Sequence, residues 1–367
     1  MDFGFSEEQN ILRDQVKRFM SERCPMGRVR EIIKSKTKFD SNIWKEVSDL
    51  GWLGLIVPEK FGGLSLGWVD LTVVLEETAA GLCPLPIAST SLAATAIMLC
   101  GNEQQKNTWL PQIATGESVC TIALYDDPNW ISPDAISAEA IKTEKGFTLQ
   151  GTKPFVTEGP IAHWLFLALK SEKGLVLAKV NRDQCDIQLE PTMDQTKLMG
   201  RVKLNDVFID QENCMPLSTE QLATLTDYGA MATTAEMVGA SQSLLDLTSK
   251  YTKERIQFGK PIGQYQGVKH RLAEMFVDIE SFRSLCYYAA WAVDDAPDEV
   301  PRAVSLAKGY ASDAFAQIGI DGVGLHGAIG FTAEYDAQLY LKRSKWARPM
   351  YGDSNFHLDR LATLGGF

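Results

Sequence analysis

The apolar residues of this chain repeat with a helical period near both ends and with a period of two in between. Near the start, the sequence Ser6-Glu-Glu-Gln9 has the form of a capping box, and Ile11, Val16 and Phe19 follow it at the spacing of one helical face. The same kind of pattern predicts further helices over 44–53, 69–79 and 102–109. The first part of the chain, to about residue 117, is therefore predicted to be helical.

From about residue 118 to 219 the pattern alternates as in half-buried strands. The sequence Glu144-Lys-Gly146 is typical of a hairpin turn between two of them. About seven strands, formed by eight short alternating segments and arranged as a small β-barrel or a packed pair of sheets, fit this pattern. The predicted strand segments are 119–125, 138–142, 147–151, 155–157, 164–169, 175–180, 187–189 and 202–209.

From about residue 220 onward, long apolar-periodic runs joined by short turns predict a helical bundle. Pro297 and Pro301 separate two of its helices. We therefore predict an α+β chain that is mostly helical. Its domains are a helical N-terminal domain over 1–117, a middle β domain over 118–219 and a four-helix-type bundle over 220–367.

Composition and charge limit the kinds of partner. A net charge of −11 argues against a general binder of nucleic acid or anionic membranes, because phosphate contacts require clustered cations. No apolar run approaches the roughly 18 residues of a membrane span, and the start lacks the features of a signal peptide. We expect a cytoplasmic protein whose seven cysteines are free thiols, and we expect no metal site because the four histidines are dispersed.

The segment 251–266 has the chemistry of a binding corner. A helix end and a Gly-containing bend place the cation Arg255 beside the aromatic Phe258, with the amides of Gln264 and Gln266 close in sequence. A guanidinium fork with amides suits a ligand that bears phosphate. The alternative is an ordinary interhelical turn with solvated charges.

This segment resembles the Arg-x-Gln-Phe-Gly-x-Pro-Ile…Gln signature of the acyl-CoA dehydrogenase family, and the resemblance runs through nearly the whole chain. Two further stretches carry it, Val57-Pro-Glu-Lys-Phe-Gly-Gly63 and 325–334. The resemblance implies a FAD-dependent enzyme that removes the α-proton of an acyl-CoA thioester with a carboxylate and transfers the β-hydride to flavin N5. It also implies an electron-transferring flavoprotein as acceptor, and that Arg255, Phe258 and Gln266 reach the FAD of a neighbouring subunit.

Two other stretches align with FAD-binding segments of the family. Phe155 and Thr157 occupy the strand that packs on the flavin ring, although the segment is also consistent with a plain β-strand. In 325–334, the resemblance places the backbone of Gly327 and Ala328 near the pyrophosphate, with Gly324 where the family has a glutamine.

The chain departs from the family pattern at the loop after Ala123-Leu124 and at the base. In the loop, Tyr125, Pro128 and Trp130 stand where the family has small residues. Tyr351 occupies the position of the family's usual glutamate base, and a phenol with an ordinary pKa of about 10 is a poor base for this step. Asp353 lies two residues further on, and we expect it to be a surface or capping carboxylate.

The second base position that the family uses aligns with Gly229, and the nearby Asp227 lies on another helical face. These differences favour one hypothesis over two alternatives. The chain resembles the partner-type subunit of the heterotetrameric acyl-CoA dehydrogenases that act on steroid or bile-acid side chains, completing the FAD site of a catalytic sister chain in an α2β2 assembly. The first alternative is a self-sufficient homotetramer with Asp353 or Tyr351 as the base. The second is a non-enzymatic subunit that binds acyl-CoA or another protein.

Overall fold

The computed structural model describes residues 5–127 and 130–367. Its contacts group the chain into two compact units, which are described separately below. One contains the chain up to Glu31, Thr72–Cys83 and Ala230–Phe367, and the other contains Ile32–Leu71 and Pro84–Gly229. The division into three consecutive domains stays a prediction, because this grouping by contacts does not follow the order of the sequence.

The first part of the chain is helical, as predicted. The capping box at Ser6 forms, and a second one forms at Asn102, each side chain accepting a hydrogen bond from the third backbone N–H of its helix. Two helices, Met26–Lys34 and Ile87–Cys100, were missed by the sequence analysis. The second is buried along most of its length and has no polar face to mark a period. The helices are α1 Glu7–Arg23, α2 Met26–Lys34, α3 Ser41–Asp49, α4 Trp68–Ala80, α5 Ile87–Cys100 and α6 Glu103–Ala114.

The middle of the chain forms an eight-stranded sheet with the order β6-β7-β3-β2-β4-β5-β8, and β1 pairs with β4 in parallel. Its strands are β1 Cys120–Ala123, β2 Glu139–Lys142, β3 Gly146–Thr157, β4 Trp164–Ser171, β5 Gly174–Asn181, β6 Asp186–Glu190, β7 Met199–Asp210 and β8 Cys214–Leu217. The predicted hairpin is present, with Lys142 opposite Phe147. The prediction of two separate strands over 147–157 was wrong, since β3 is one strand whose register with β7 shifts between Lys153 and Val156.

The last part of the chain is a set of long helices. They are α7 Thr219–Glu254, α8 Gln266–Asp295, α9 Val300–His326, α10 Ala337–Ala347 and α11 Ser354–Gly365, and a short hairpin of β9 Ile256–Gln257 and β10 Lys260–Pro261 joins the first two. Helix α9 packs against α8, α10 and α11, and it is buried along much of its length. The predicted fold class, with a central β region between helical segments, is confirmed.

The expectation of seven free cysteines was wrong for two of them. Cys24, directly after α1, forms a disulfide with Cys83, which follows α4, and their Cα atoms are 6.2 Å apart. The two residues are separated by 59 positions, and sequence alone does not show which distant cysteines meet. The five other cysteines are free.

Among the helices that the structure describes, none is both long and apolar enough to cross a membrane.

Candidate functional site

The corner at 255–266 is a short, ordered hairpin whose side chains point outward. Helix α7 ends at Glu254, and β9 and β10 then pair with Gln257 opposite Lys260. The two residues between the strands, Phe258 and Gly259, have φ values of +51° and +82°. Positive φ at both positions is typical of the tightest β-hairpin turns, and a non-glycine residue adopts it only where its surroundings fix it. The Phe258 side chain is 93% exposed.

Hydrogen bonds hold the backbone of this corner while leaving its cation available. The Arg255 N–H donates to the Tyr251 carbonyl at 2.8 Å, and the Arg255 carbonyl accepts from the Ile262 N–H at 2.8 Å. The Tyr265 hydroxyl donates to the Gln257 carbonyl at 3.0 Å. Within the described part of the chain, the exposed guanidinium of Arg255 has no hydrogen-bond or ion-pair partner. Gln266 begins α8 and is also exposed.

The glycine turn that follows α9 lies next to the end of α7. The Tyr251 hydroxyl donates to the His326 carbonyl at 3.2 Å, and the two rings are 4.5 Å apart. His326 is buried, and this burial lowers the pKa of its imidazole. Gly327 follows with φ +64°, and a Cβ built on it would meet open space. The backbone at Gly327 and Ala328 is therefore accessible to a ligand, and the corner and the turn belong to the same compact unit.

The aligned strand segment lies in the other unit, at the end of β3. Phe155 is 41% exposed and has φ +52°, and its N–H donates to the Glu190 carboxylate at 3.1 Å. The Thr157 carbonyl accepts from the Thr121 hydroxyl at 2.6 Å. Phe155 and Thr157 are separated by the buried Val156, so both are on the more accessible face of the strand end.

Sequence reasoning assigned no role to the next residue, Glu158. Its carboxylate is buried, bonds to the Ser89 hydroxyl and lies 3.6 Å from the ammonium of Lys197, which is also buried. A carboxylate between Thr157 and Gly159, directly after the end of a strand, was the signal in the sequence. Through these two contacts, the Glu158 carboxylate connects the end of β3 to α5 and to the segment before β7.

The loop after β1 is anchored by Asp126, which sits where the resemblance leads one to expect a small-residue segment. The Asp126 carboxylate accepts from the N–H groups of Ser137 and Ala138 at 2.5 and 2.6 Å and forms an ion pair with the fully buried Lys153. Burial raises the pKa of Asp126, but Lys153 and the hydrogen bonds outweigh burial and hold the pKa below its ordinary value.

Two aromatic residues of this loop are placed differently. The Tyr125 hydroxyl bonds the Thr226 hydroxyl of α7 at 2.8 Å, so this side chain connects the sheet to the start of that helix. Trp130 is more than half exposed. Pro128, the third large residue that the sequence analysis named, lies outside the described residues.

Two segments of this chain align with the positions of the family's catalytic base. Their residues cap a helix, are buried, or carry no carboxylate. Asp353 is the N-cap of α11, and its carboxylate accepts from the Phe356 N–H at 3.1 Å. Tyr351 is half-buried with φ +54°. On α7, Gly229 and Asp227 are both buried. The expectation that Asp353 is a capping carboxylate agrees with this geometry.

Two residues that the sequence analysis did not name, Lys308 and His357, form hydrogen bonds with backbone carbonyls of the loop 348–353, which carries Tyr351. Both are fully buried. Lys308 falls four residues after Val304 and three before Ala311, on the apolar face of α9. A lysine in such a place was the available signal.

Comparison with known proteins adds to this geometry. The family model described as acyl-CoA dehydrogenase, N-terminal domain, matches residues 6–117, and that of the C-terminal domain matches 220–364. The acyl-CoA dehydrogenase IpdE2 of Mycolicibacterium smegmatis is 30% identical over 97% of this chain and 98% of its own.

Two solved structures are similar over almost the full length. A variant of the Tcur3481–Tcur3483 steroid ACAD is 28% identical with a TM-score of 0.88, covering 98% of both chains. The ChsE4–ChsE5 complex from Mycobacterium tuberculosis is 25% identical with a TM-score of 0.92, covering 100% of this chain and 99% of that one.

The fold and these matches define a class of oxidoreductase. The chain belongs to the acyl-CoA dehydrogenase family, whose members are oxidoreductases acting on CH–CH groups.

Proposed function

We propose that this chain works in the FAD-dependent α,β-dehydrogenation of a CoA thioester as one subunit of a heterotetramer. In this assembly it completes the FAD site of a catalytic sister chain. The observation that carries the proposal is the asymmetry between the corner and the base positions. The corner offers an exposed aromatic and an uncommitted guanidinium, whereas Asp353 is used as a helix cap and Tyr351 has no carboxylate.

The corner residues fit the family's cofactor. FAD carries a pyrophosphate, which a guanidinium binds through charge-assisted hydrogen bonds, and rings that stack on an aromatic side chain. Arg255 is exposed and has no acceptor in the described part of the chain, Phe258 is almost fully exposed, and open space surrounds the position of a Cβ at Gly327. We propose that Arg255, Phe258 and Gln266, with the backbone of Gly327 and Ala328, bind the FAD seated on the sister chain.

When bound, FAD supplies the acceptor for the hydride that leaves the β-carbon of the thioester. In our proposal, the residues of this chain hold the dinucleotide and do not move the α-proton. The corner neutralises phosphate charge with Arg255 and excludes water on one side with the Phe258 ring. The carboxylate that removes the α-proton belongs to the sister chain, since Tyr351 stands at the usual base position here and Gly229 at the other.

Phe155 and Thr157 remain candidates for contact with a flavin of this chain's own. The exposed face of Phe155 and the Thr157 hydroxyl are compatible with a flavin ring. The anchored loop at Asp126 and the Tyr125–Thr226 bond differ from the glycine-containing segment that lets a backbone approach a ligand closely. We therefore propose that the principal FAD site lies on the sister chain.

The similar structures support both the assembly and the substrate class. One is described as a steroid ACAD, and another is a complex of two different named chains. We propose a steroid side-chain CoA thioester as the substrate and an electron-transferring flavoprotein as the electron acceptor. We propose that the protein acts in lipid breakdown.

The test is the substitution Arg255→Met in the co-purified complex. Loss of a charge-assisted contact of about 1.5–3 kcal/mol should weaken FAD binding by roughly tenfold or more, without dissociating the subunits. Flavin absorbance after dilution measures how much FAD the complex retains, and native mass spectrometry shows whether the subunits stay associated. Arg302→Met is the matched control, because Arg302 is an exposed arginine on the first turn of α9. Equal FAD affinity in the two variants would contradict the proposal.

A further inference from the structure

The loop 348–353 turns its carbonyl groups toward two buried basic side chains. The Lys308 ammonium donates to the carbonyls of Arg348 and Gly352 at 2.9 and 2.7 Å. His357 Nε2 lies 3.1 Å from the Tyr351 carbonyl. Since a carbonyl only accepts, Nε2 carries the proton and donates to it. Three of the loop's carbonyl groups are therefore held from one side.

The hydrogen bonds of Lys308 match the number of its protons. Besides the two carbonyls, its Nζ donates to the Ser312 hydroxyl at 2.8 Å, and the side chain is 0% exposed. An ammonium has three N–H donors, and each has an acceptor here. A neutral amine has two N–H donors and one lone pair, so it still holds both carbonyls if the Ser312 hydroxyl turns to donate to Nζ.

The loop that these bonds hold has an uncommon backbone conformation. Tyr351 has φ +54° and Gly352 has φ +101°. A Cβ on Gly352 would lie 2.4 Å from the Phe356 ring and 2.9 Å from His357, so the loop is pressed against α11. A non-glycine residue such as Tyr351 keeps a positive φ only where its surroundings hold it in that conformation.

Four other ionisable groups face Lys308, from each element packed around it. Asp353 of the loop and Asp313 of α9 favour its charge, whereas Arg348 at the end of α10 opposes it. Burial is the largest effect and lowers the pKa of Lys308 to about 7. Burial, together with the charge of Lys308, lowers the pKa of His357 to about 3, so the imidazole is neutral while the lysine titrates.

We propose that Lys308 is the positioning residue of loop 348–353. By gathering the Arg348 and Gly352 carbonyls, its ammonium fixes Tyr351 in the left-handed conformation and places Asp353 at the start of α11 as the cap. The position where the family has its base is thereby a rigid part of this chain. This property belongs to the single chain and goes beyond the proposed function, so its test needs neither flavin nor partner.

Hydrogen exchange measured by mass spectrometry tests the proposal. Lys308→Met keeps the length of the buried side chain and removes all three donors. We expect the protection of amides in 350–357 to fall about tenfold or more, while peptides of the sheet keep theirs. Ser312→Ala, which removes the acceptor outside the loop, should change loop protection much less. Lys269→Met, on the exposed side of α8, is the control. Unchanged loop protection in Lys308→Met, or an equal loss in every peptide, would overturn the proposal.

The pH dependence separates positioning from a general structural role, and it needs no variant. After correction for intrinsic exchange, loop protection in the unmodified chain should rise as pH rises from about 7 to about 10. The closed loop holds the pKa of Lys308 at about 7, whereas opening returns it toward its ordinary 10.5, so opening takes up a proton in this interval. Peptides of the sheet should show no such rise, and in Lys308→Met the loop profile should be flat. Loop protection that stays constant over this interval in the unmodified chain would contradict the proposal even if the variant failed to fold.

Discussion

Arg255 and Asp353 are both charged residues in segments that resemble family signatures, yet their surroundings differ. The Arg255 side chain is exposed and uncommitted within the described chain, whereas the Asp353 carboxylate accepts a backbone N–H at the start of a helix. A cap must stay in place to stabilise its helix, so Asp353 is a poor candidate for a group that approaches a substrate. A free cation at a surface corner suits a ligand brought by another molecule.

Substitutions of Asp353 distinguish a cap from a base. Asp353→Asn should leave stability within a few tenths of a kcal/mol, because asparagine caps as well as aspartate, and it should leave dehydrogenation by the complex unchanged. Asp353→Ala should lower the free energy of unfolding by about 1 kcal/mol. Urea unfolding and a flavin-bleaching assay of the complex measure the two effects. Activity lost in Asp353→Asn without loss of stability would instead identify Asp353 as the base.

The lowered pKa of His357 predicts that the folded chain becomes less stable as the pH falls. The pKa of the buried imidazole is about 3, below its ordinary value of 6.5, so the folded chain binds fewer protons than the unfolded chain between these values. This contribution is fully present above pH 6.5 and is lost as pH falls toward 3, by about 1.4 kcal/mol per pH unit at most.

Urea unfolding at several pH values between 7 and 4 measures this dependence. The variant His357→Asn should show a shallower dependence than the unmodified chain. His270→Asn is the matched control, since His270 is exposed on α8. A slope identical in the His357 variant and the unmodified chain would show that another group is responsible.

Sequence reasoning reached the residues of the corner because their types and spacing match a known signature. It did not reach Glu158, Lys308 or His357, whose importance comes from burial and from partners far along the chain. A buried lysine cannot be told from a solvated one by composition. Only its place on the apolar face of α9 gave a hint.

At the scale of elements, the apolar period predicted most of the helices but missed α2 and also α5, which is buried on most sides. The alternation found the strands except β8, and it divided β3 at its irregular region, because a register shift interrupts the period of two. Helix packing was not predictable from periods at all. It depends on small residues at particular crossings, and Gly239 is one of these.

Helices α7 and α4 approach so closely at Gly239 that a side chain does not fit. A Cβ there would lie 1.8 Å from the Glu76 carbonyl oxygen, which is backbone and cannot rotate away. We expect Gly239→Ala to lower the free energy of unfolding by about 3 kcal/mol or more, since the helices must separate. Urea unfolding with circular dichroism measures this.

Gly267→Ala is the control for this prediction. Gly267 is in the first turn of α8, and nothing lies within 4 Å of the Cβ position. Alanine there should be neutral or should stabilise by about 0.5–1 kcal/mol, because it favours the helix and restricts the unfolded chain. Similar effects of the two substitutions would contradict the close approach of α7 and α4.

At the scale of the whole molecule, the order of helical, β and helical segments was predictable and is confirmed, and the family follows from the comparisons. The pairing of Cys24 with Cys83 was not predictable, because it depends on the three-dimensional path of the chain. The subunit role is likewise a property of the assembly. Our account of it depends on an exposed corner and on base positions that lack an available carboxylate.

The most direct measurement of this account is the FAD content and turnover of the purified chain, alone and after co-expression with a second acyl-CoA dehydrogenase-like chain. Flavin absorbance gives the stoichiometry, native mass spectrometry gives the assembly, and bleaching of the flavin by a steroid side-chain CoA thioester gives the activity. We predict little FAD and no turnover for the chain alone, and FAD with turnover for an α2β2 complex. Stoichiometric FAD and turnover in the lone chain would contradict the account.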